Sequence, residues 1–166
     1  MSREITLVFP HQLFASHPAL AKRRPVYLIE DTLFFGDPFA SPGRFHRQKI
    51  LLHRASMKAY ASRLTEEGYE VHYIGYDRKA TIGNILTKLR KEHRFEAIFT
   101  AHPVDFLLEK RLRRFGECEG VCLTFTGTPM FLTPRDWAET HFASRKKPSM
   151  AAFYEAQRRR MGLLVD

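Results

Sequence analysis

Two periods of hydrophobicity alternate along this chain. Five short runs rich in β-branched and aromatic residues, at 5–9, 26–29, 69–74, 97–100 and 121–125, read as strands. Between and after them lie stretches with helical spacing, predicted as helices over 45–67, 82–93, 106–115, 134–142 and 150–161. Thr81 stands where the second helix needs an N-cap, and Gly68 stands just past the end of the first, where a C-cap glycine belongs. Strand–helix alternation of this kind predicts an α/β fold: a three-layer, Rossmann-like open sheet of parallel strands with helices on both faces. The stretch between the second strand and the first helix is long and contains Gly36, Pro38, Pro42 and Gly43. A loop of that length in a compact domain is commonly functional.

The first helix changes character along its inward stripe. Spacings of three and four put His46, Ile50, His53, Met57, Tyr60 and Leu64 on one face. The C-terminal half of that stripe is ordinary core. The N-terminal half carries two imidazoles, with Lys49 beside them. In open parallel sheets, ligands bind outside the carboxyl ends of the strands, and polar residues collect there: Pro10-His11-Gln12, Glu30-Asp31, Tyr76-Asp77, His102-Pro103 and Thr126-Gly127-Thr128. Glu30 and Asp31 are adjacent, so at most one of them faces a given ligand. A carboxylate set against His and Lys suits a heterocyclic ring bearing several N–H and C=O groups. Phe34 and Phe35 offer either a stacking surface for that ring or a plug that holds the loop down.

Composition narrows the function classes. Hydrophobic residues make up 44% of the 166, enough for one substantial core and too many for a disordered chain. No apolar run approaches the ~20 residues of a membrane span, and the N-terminus lacks a secretory apolar core. The expected location is cytoplasmic, with no membrane partner. Net charge is +9, with basic clusters at Lys110–Arg114, 145–147 and Arg158–Arg160. They suit an anionic partner such as nucleic acid, or simply solvated helix faces. Gly-rich phosphate loops and the Gly-x-Ser-x-Gly elbow are absent, against a usual nucleotide site or an α/β-hydrolase. Cys118 and Cys122 have no second pair and are expected to be buried and reduced. The histidines show no metal-ligand spacing, so no metal site is expected. Nothing pairs a nucleophile with a base, which favours a binding domain without catalytic residues of its own.

Several local motifs together resemble the N-terminal domain of the iron–sulfur bacterial photolyase/cryptochrome proteins, the deoxyribodipyrimidine photolyase-related family. They are His11-Gln12-Leu13, Glu30, Lys49-Ile50…Ser56-Met57, Glu67-Gly68-Tyr69-Glu70-Val71, Phe131-Leu132, Trp137, Arg145-Lys146, and the closing Met150-Ala151-Ala152-Phe153-Tyr154-Glu155…Arg158-Arg159-Arg160-Met161-Gly162-Leu163-Leu164. The resemblance implies a strand order of 3-2-1-4-5. It implies an antenna domain over 1–130 and a helical segment over 131–166 leading toward a C-terminal domain outside this chain. That second domain would hold FAD and a 4Fe-4S cluster and would be both the partner of this one and the part that meets DNA. Weak, nonspecific DNA binding is the most expected of this chain.

The resemblance further implies an antenna chromophore, 6,7-dimethyl-8-ribityllumazine or a related pterin- or flavin-like ring, harvesting light for flavin-dependent repair of pyrimidine lesions. It would lie among Pro10, His11, Glu30, Asp31, Phe34, Phe35, Ile50 and His53, with His46 and Lys49 from the helix stripe beside them. Two positions depart from the family pattern: His53 replaces an aliphatic residue near the ring, and His102-Pro103 replaces a Glu-Pro. The alternatives are a stand-alone nucleotide- or flavin-binding α/β module and a cryptochrome that signals in blue light.

Overall fold

A computed structural model describes residues 3–37, 45–143 and 146–163. The chain divides into two units, Met1–Gly127 and Thr128–Asp166. The first runs β1 (Glu4–Val8), β2 (Val26–Ile29), α1 (Thr32–Phe35), α2 (Arg47–Glu66), β3 (Val71–Ile74), α3 (Ile82–His93), β4 (Ala97–Ala101), α4 (Phe106–Glu119) and β5 (Cys122–Thr126). The five strands form one open, all-parallel sheet in the order β3-β2-β1-β4-β5. Fold class and strand order are as expected from the sequence.

Alternation along the central strands sets the two cores. Ile5, Leu7 and Phe9 of β1 and its exit, with Tyr27 and Ile29 of β2, meet Ile82, Leu86 and Leu89 of α3 and Leu108, Leu112 and Phe115 of α4. The residues between them, Val8, Val26 and Leu28, face the opposite way onto Met57, Tyr60 and Leu64 of α2. Strands buried on both faces need apolar residues at every position, and Val26–Ile29 has them. Thr81 caps α3, its Oγ accepting the Asn84 N–H (3.4 Å), and Gly68 follows α2 at φ +82°, a conformation that favours glycine.

Two details differ from the sequence expectations. A single helical turn, α1, follows β2 where an irregular loop was expected. The loop residues Pro38, Pro42 and Gly43 lie outside the described residues, as do Arg145 and Leu164 of the resemblance motifs. Cys118 and Cys122 are both exposed rather than buried, one on the last turn of α4 and one opening the edge strand β5.

The second unit contains α5 (Arg135–Ala143) and α6 (Met150–Met161). They are joined by a ring cluster in which Phe142 and Phe153 stack at 5.2 Å and Trp137 stacks on His141 at 5.2 Å. Gln157 donates to Thr133 Oγ (2.5 Å), and Arg160 donates to the Leu132 carbonyl (2.6 Å).

Candidate functional site

The site begins with the turn after β1, which Gln12 closes. Gln12 donates its backbone N–H to Phe9 O (2.9 Å), accepts the Phe9 N–H at Oε1 (3.1 Å) and donates Nε2 to Ala101 O (2.6 Å). One buried side chain thereby ties the carboxyl ends of β1 and β4 together. Pro10 is buried in this turn, and the His11 ring stacks on Phe34 of α1 with centroids 5.0 Å apart and 25° between planes. His53 of α2 meets the same Phe34 ring edge-on at 6.4 Å and Phe35 at 6.1 Å. Ile50, one turn earlier, is half-buried against the α2-side core, as is Phe34. Pro10, His11, Phe34, Ile50 and His53 therefore converge. Phe35 is only 4% exposed and stacks on Tyr76 at 6.0 Å, so it belongs to the core beneath them.

His46 does not face inward as the stripe predicts. The helix starts at Arg47, so His46 is an extended N-cap (φ −61°, ψ 135°) whose Nδ1 accepts the Gln48 N–H at 3.3 Å, and its ring is exposed. A capping residue lies off the helical stripe because its backbone is not helical. Lys49 is also exposed, its ammonium 4.5 Å from the Phe45 ring centre, and it reaches the site only through its charge on His53.

Glu30 and Asp31 point to opposite faces. The Glu30 carboxylate, 1% exposed, accepts Arg54 Nε (2.7 Å) and Nη2 (2.6 Å), the Tyr73 hydroxyl (2.5 Å) and the Tyr76 N–H (2.9 Å). Burial disfavours its charge, but the Arg54, Tyr73 and Tyr76 hydrogen bonds outweigh that and hold its pKa below the ordinary carboxylate value. Those four donors fill the acceptor capacity of a carboxylate. Glu30 thus clamps α2 and β3 to β2 and fixes the helix turn that carries His53. Arg54 was not anticipated; the signal was an arginine one residue from the helix stripe, opposite a strand-end carboxylate.

On the other face, Asp31 caps α1, with Oδ1 accepting the Leu33 N–H at 2.9 Å. Burial pushes it up to about 6, opposed by the Leu33 N–H and Arg111 and reinforced by Asp37 and Asp105. Arg111 of α4 is paired with buried Asp37 at 2.6 Å, and Asp105 caps α4 by accepting the Leu108 N–H at 2.9 Å. Sequence reading assigned none of Asp37, Asp105 and Arg111 to the site. Asp105 and Arg111 come from an element distant in the chain that only the fold brings near β2, whereas Asp37 lies just beyond α1 with no pattern to mark it.

Several side-chain polar atoms here are buried without a hydrogen-bond partner among the described residues: both ring nitrogens of His11, His53 Nε2, Asp31 Oδ2 and Arg111 Nη1. They lie within electrostatic reach of one another: His11 feels His53 and Asp105, Asp31 feels Arg111 and Asp105, and Asp105 links the two pairs. Each orphaned polar atom costs about 1–3 kcal/mol. A fold that concentrates several at the carboxyl ends of its strands has the character of a ligand site. Burial, with a smaller contribution from His53, pulls His11 down to about 4 against the opposing Asp105 charge; burial and Lys49 lower His53 as well. Both imidazoles are therefore neutral at pH 7, each with one donor and one acceptor nitrogen. A separate cleft of about 450 Å³ lies beside the edge strand β3 against α3 and contains none of these residues.

The buried histidines set an acid limit on stability. His11 and His17 are both held near 4, below the usual 6.5, by burial. Between pH 6.5 and 4 the unfolded chain binds more protons than the folded one. Their contribution is full above 6.5 and is lost as the pH falls through that window. Asp31, raised from 3.8 to about 6, acts in the opposite sense: its contribution is full below 3.8 and lost as the pH rises through 6. Two groups outweigh one, so the thermal midpoint is expected to fall between pH 6.5 and 4.5. His17→Asn, which keeps an acceptor for the Ala19 N–H, is expected to flatten that fall. A midpoint that rises on acidification contradicts neutral, buried imidazoles.

Residues 6–166 match the family described as deoxyribodipyrimidine photo-lyase-related protein. The chain belongs to that family. It is similar to an uncharacterized protein of Acanthamoeba polyphaga mimivirus, 28% identical over 171 residues that cover 99% of this chain and 86% of that protein. It is also similar to a (6-4) photolyase of Agrobacterium fabrum, 24% identical over 172 residues that cover 98% of this chain and 32% of the photolyase. The chain thus spans about a third of that enzyme, and the photolyase-related match lies over the sheet domain and the two helices after it. No helix among the described residues is long and apolar enough to cross a membrane.

Proposed function

We propose that this chain is the antenna domain of a photolyase-related protein of the iron–sulfur type, and that it binds a pterin-, lumazine- or flavin-like ring at the carboxyl ends of β1 and β2. The observation that carries the reading is the pair of imidazoles, His11 and His53, that meet the Phe34 ring with unmatched ring nitrogens, together with the orphaned atoms of Asp31, which caps the same helical turn, and of Arg111. An aromatic face flanked by unmatched donors and acceptors fits a planar ring with N–H and C=O groups on its edge. Pro10, Ile50 and Phe35 shape the apolar surroundings, and Glu30 sets the position of α2. When bound, such a ring supplies absorption of blue light, for use by a flavin in a second domain. The chain has two cysteines, too few for the usual four-cysteine ligation of a 4Fe-4S cluster. The cluster and the FAD belong to that second domain.

DNA contact, like lesion repair, is assigned to the same second domain. Many arginines of this chain are already engaged: Arg113 with Glu109, Arg159 with Glu155, and Arg90 with Glu119. Any DNA binding by the chain itself is expected to be weak and to fall steeply with salt. A second reading, a stand-alone ring-binding module, is favoured by one observation: the mimivirus relative is nearly as short as this chain.

Fluorescence titration with 6,7-dimethyl-8-ribityllumazine, riboflavin and a folate tests the reading. Saturable one-to-one binding of at least one ring is expected, and absence of binding for all three counts against an antenna role.

A further inference from the structure

Although the chain carries a net charge of +9, the interior of its candidate site has the opposite balance. On the face of β2 opposite Glu30, three carboxylates, Asp31, Asp37 and Asp105, act on one another against a single guanidinium, Arg111, while Glu30 and Arg54 neutralise each other on the α2 side. Arg54 is held by Glu30 at 2.6 Å, and Arg111 is held by Asp37 at 2.6 Å. The charges of Asp31 and Asp105 are then opposed by no cation of their own; they repel each other, and Asp105 also acts on the neutral His11 ring. Lys49 acts on His53 from the rim, where it is exposed and screened by water. Among the described residues, Arg111 keeps one donor, Nη1, that no acceptor meets, and Asp31 keeps one acceptor, Oδ2, that no donor meets.

We propose that Asp31, Asp105 and Arg111 make this a charge-selective site, one that accepts an uncharged heteroaromatic ring with a lactam edge and rejects a ring that carries an anion. The inference rests on the ring-binding reading above and adds to it the ligand's charge and the residues that enforce it. A lactam supplies what the two orphans lack: a carbonyl oxygen for Arg111 Nη1 and an N–H for Asp31 Oδ2. A carboxylate attached to the ring would instead be buried beside Asp31, Asp37 and Asp105, against Arg111 alone, whose charge Asp37 already offsets. Burying a charge without a partner is unfavourable, and like charges in a partly buried site are screened far less than at the surface. Asp31 is faced by Asp37, which follows α1, and by Asp105 and Arg111 of α4. Its raised pKa means that the discrimination is full at pH 7.5 and weakens as the pH falls through about 6.

The test compares 6-hydroxymethylpterin with 6-carboxypterin, two rings of nearly equal size that share the lactam edge and differ in charge, by fluorescence titration at pH 7.5. The carboxypterin is expected to bind about tenfold more weakly or worse. In the Asp31→Asn/Asp105→Asn double variant the two affinities are expected to come within about threefold. Asparagine is as good an N-cap as aspartate, so both helix starts survive, and Asp31→Asn alone is expected to give an intermediate ratio. Equal affinities in the unmodified chain overturn the charge rule while leaving ring binding intact. A tenfold ratio that persists in the double variant overturns the assignment to Asp31 and Asp105. If neither pterin binds and the lumazine also fails, ring binding itself is wrong and the charge rule goes with it.

Discussion

Replacing His53 by Trp is expected to abolish lumazine binding while the fold survives. His53 sits half-buried on α2, its ring 6.4 Å from Phe34 and 6.1 Å from Phe35, with Nε2 unmatched among the described residues. An indole at this position would occupy the space over Phe34 that a bound ring needs, and would remove one of the unmatched polar atoms. The residue lies at the edge of the core rather than in its middle, so the larger ring can lean outward. The strain is expected to stay near the lower end of the 1–3 kcal/mol that overpacking costs. Loss of affinity is expected to exceed about 100-fold. Titration of the variant, with its circular dichroism spectrum and melting curve beside those of the parent, checks both halves. Unchanged affinity means that the ring lies elsewhere.

Glu30→Ala has the largest expected effect on stability. The substitution removes the acceptor for Arg54, for the Tyr73 hydroxyl and for the Tyr76 N–H at once. Breaking a fully buried pair costs 3–5 kcal/mol, but the Arg54 side chain is 44% exposed and regains water. The two tyrosine groups are half-buried and do so less completely. A loss of roughly 3 kcal/mol is expected, equivalent to about 6–12 °C in the melting midpoint for a chain of this size. Glu30→Gln keeps one carbonyl acceptor and is expected to fall between the two. A Glu30→Ala melt within a degree of the parent contradicts a clamp that holds α2 and β3 to β2. The clamp also links stability to the site, because Arg54 and His53 are consecutive residues: loosening one shifts the other.

Fold class was legible because the apolar periodicities are strong. Val26–Ile29 has no polar position, as a strand covered on both faces requires, and α3 and α4 show clear inward stripes. The convergence of His11, Phe34 and His53 was also legible, since strand ends and the helix that follows them share one edge of the sheet. Three aspects were not. His46 has the right spacing for the stripe, but periodicity says nothing about whether a terminal residue is helical or a cap. Glu30 looked like a ligand group, and only the three-dimensional register shows Arg54, Tyr73 and Tyr76 filling its acceptor positions. Asp105 and Arg111 were invisible because the sheet order places β4 and its helix beside β1, so residues some 70 positions apart share one charge balance with Asp31 and Asp37.

The most direct test of the site is the set of imidazole nitrogen resonances, followed by NMR while 6,7-dimethyl-8-ribityllumazine is titrated into the protein at pH 7. His11 and His53 are expected to shift together and saturably as their unmatched nitrogens find partners. His17, whose Nδ1 already accepts the Ala19 N–H, is expected to stay in place. Saturable binding that leaves His11 and His53 unmoved contradicts the placement of the ring at the carboxyl ends of β1 and β2.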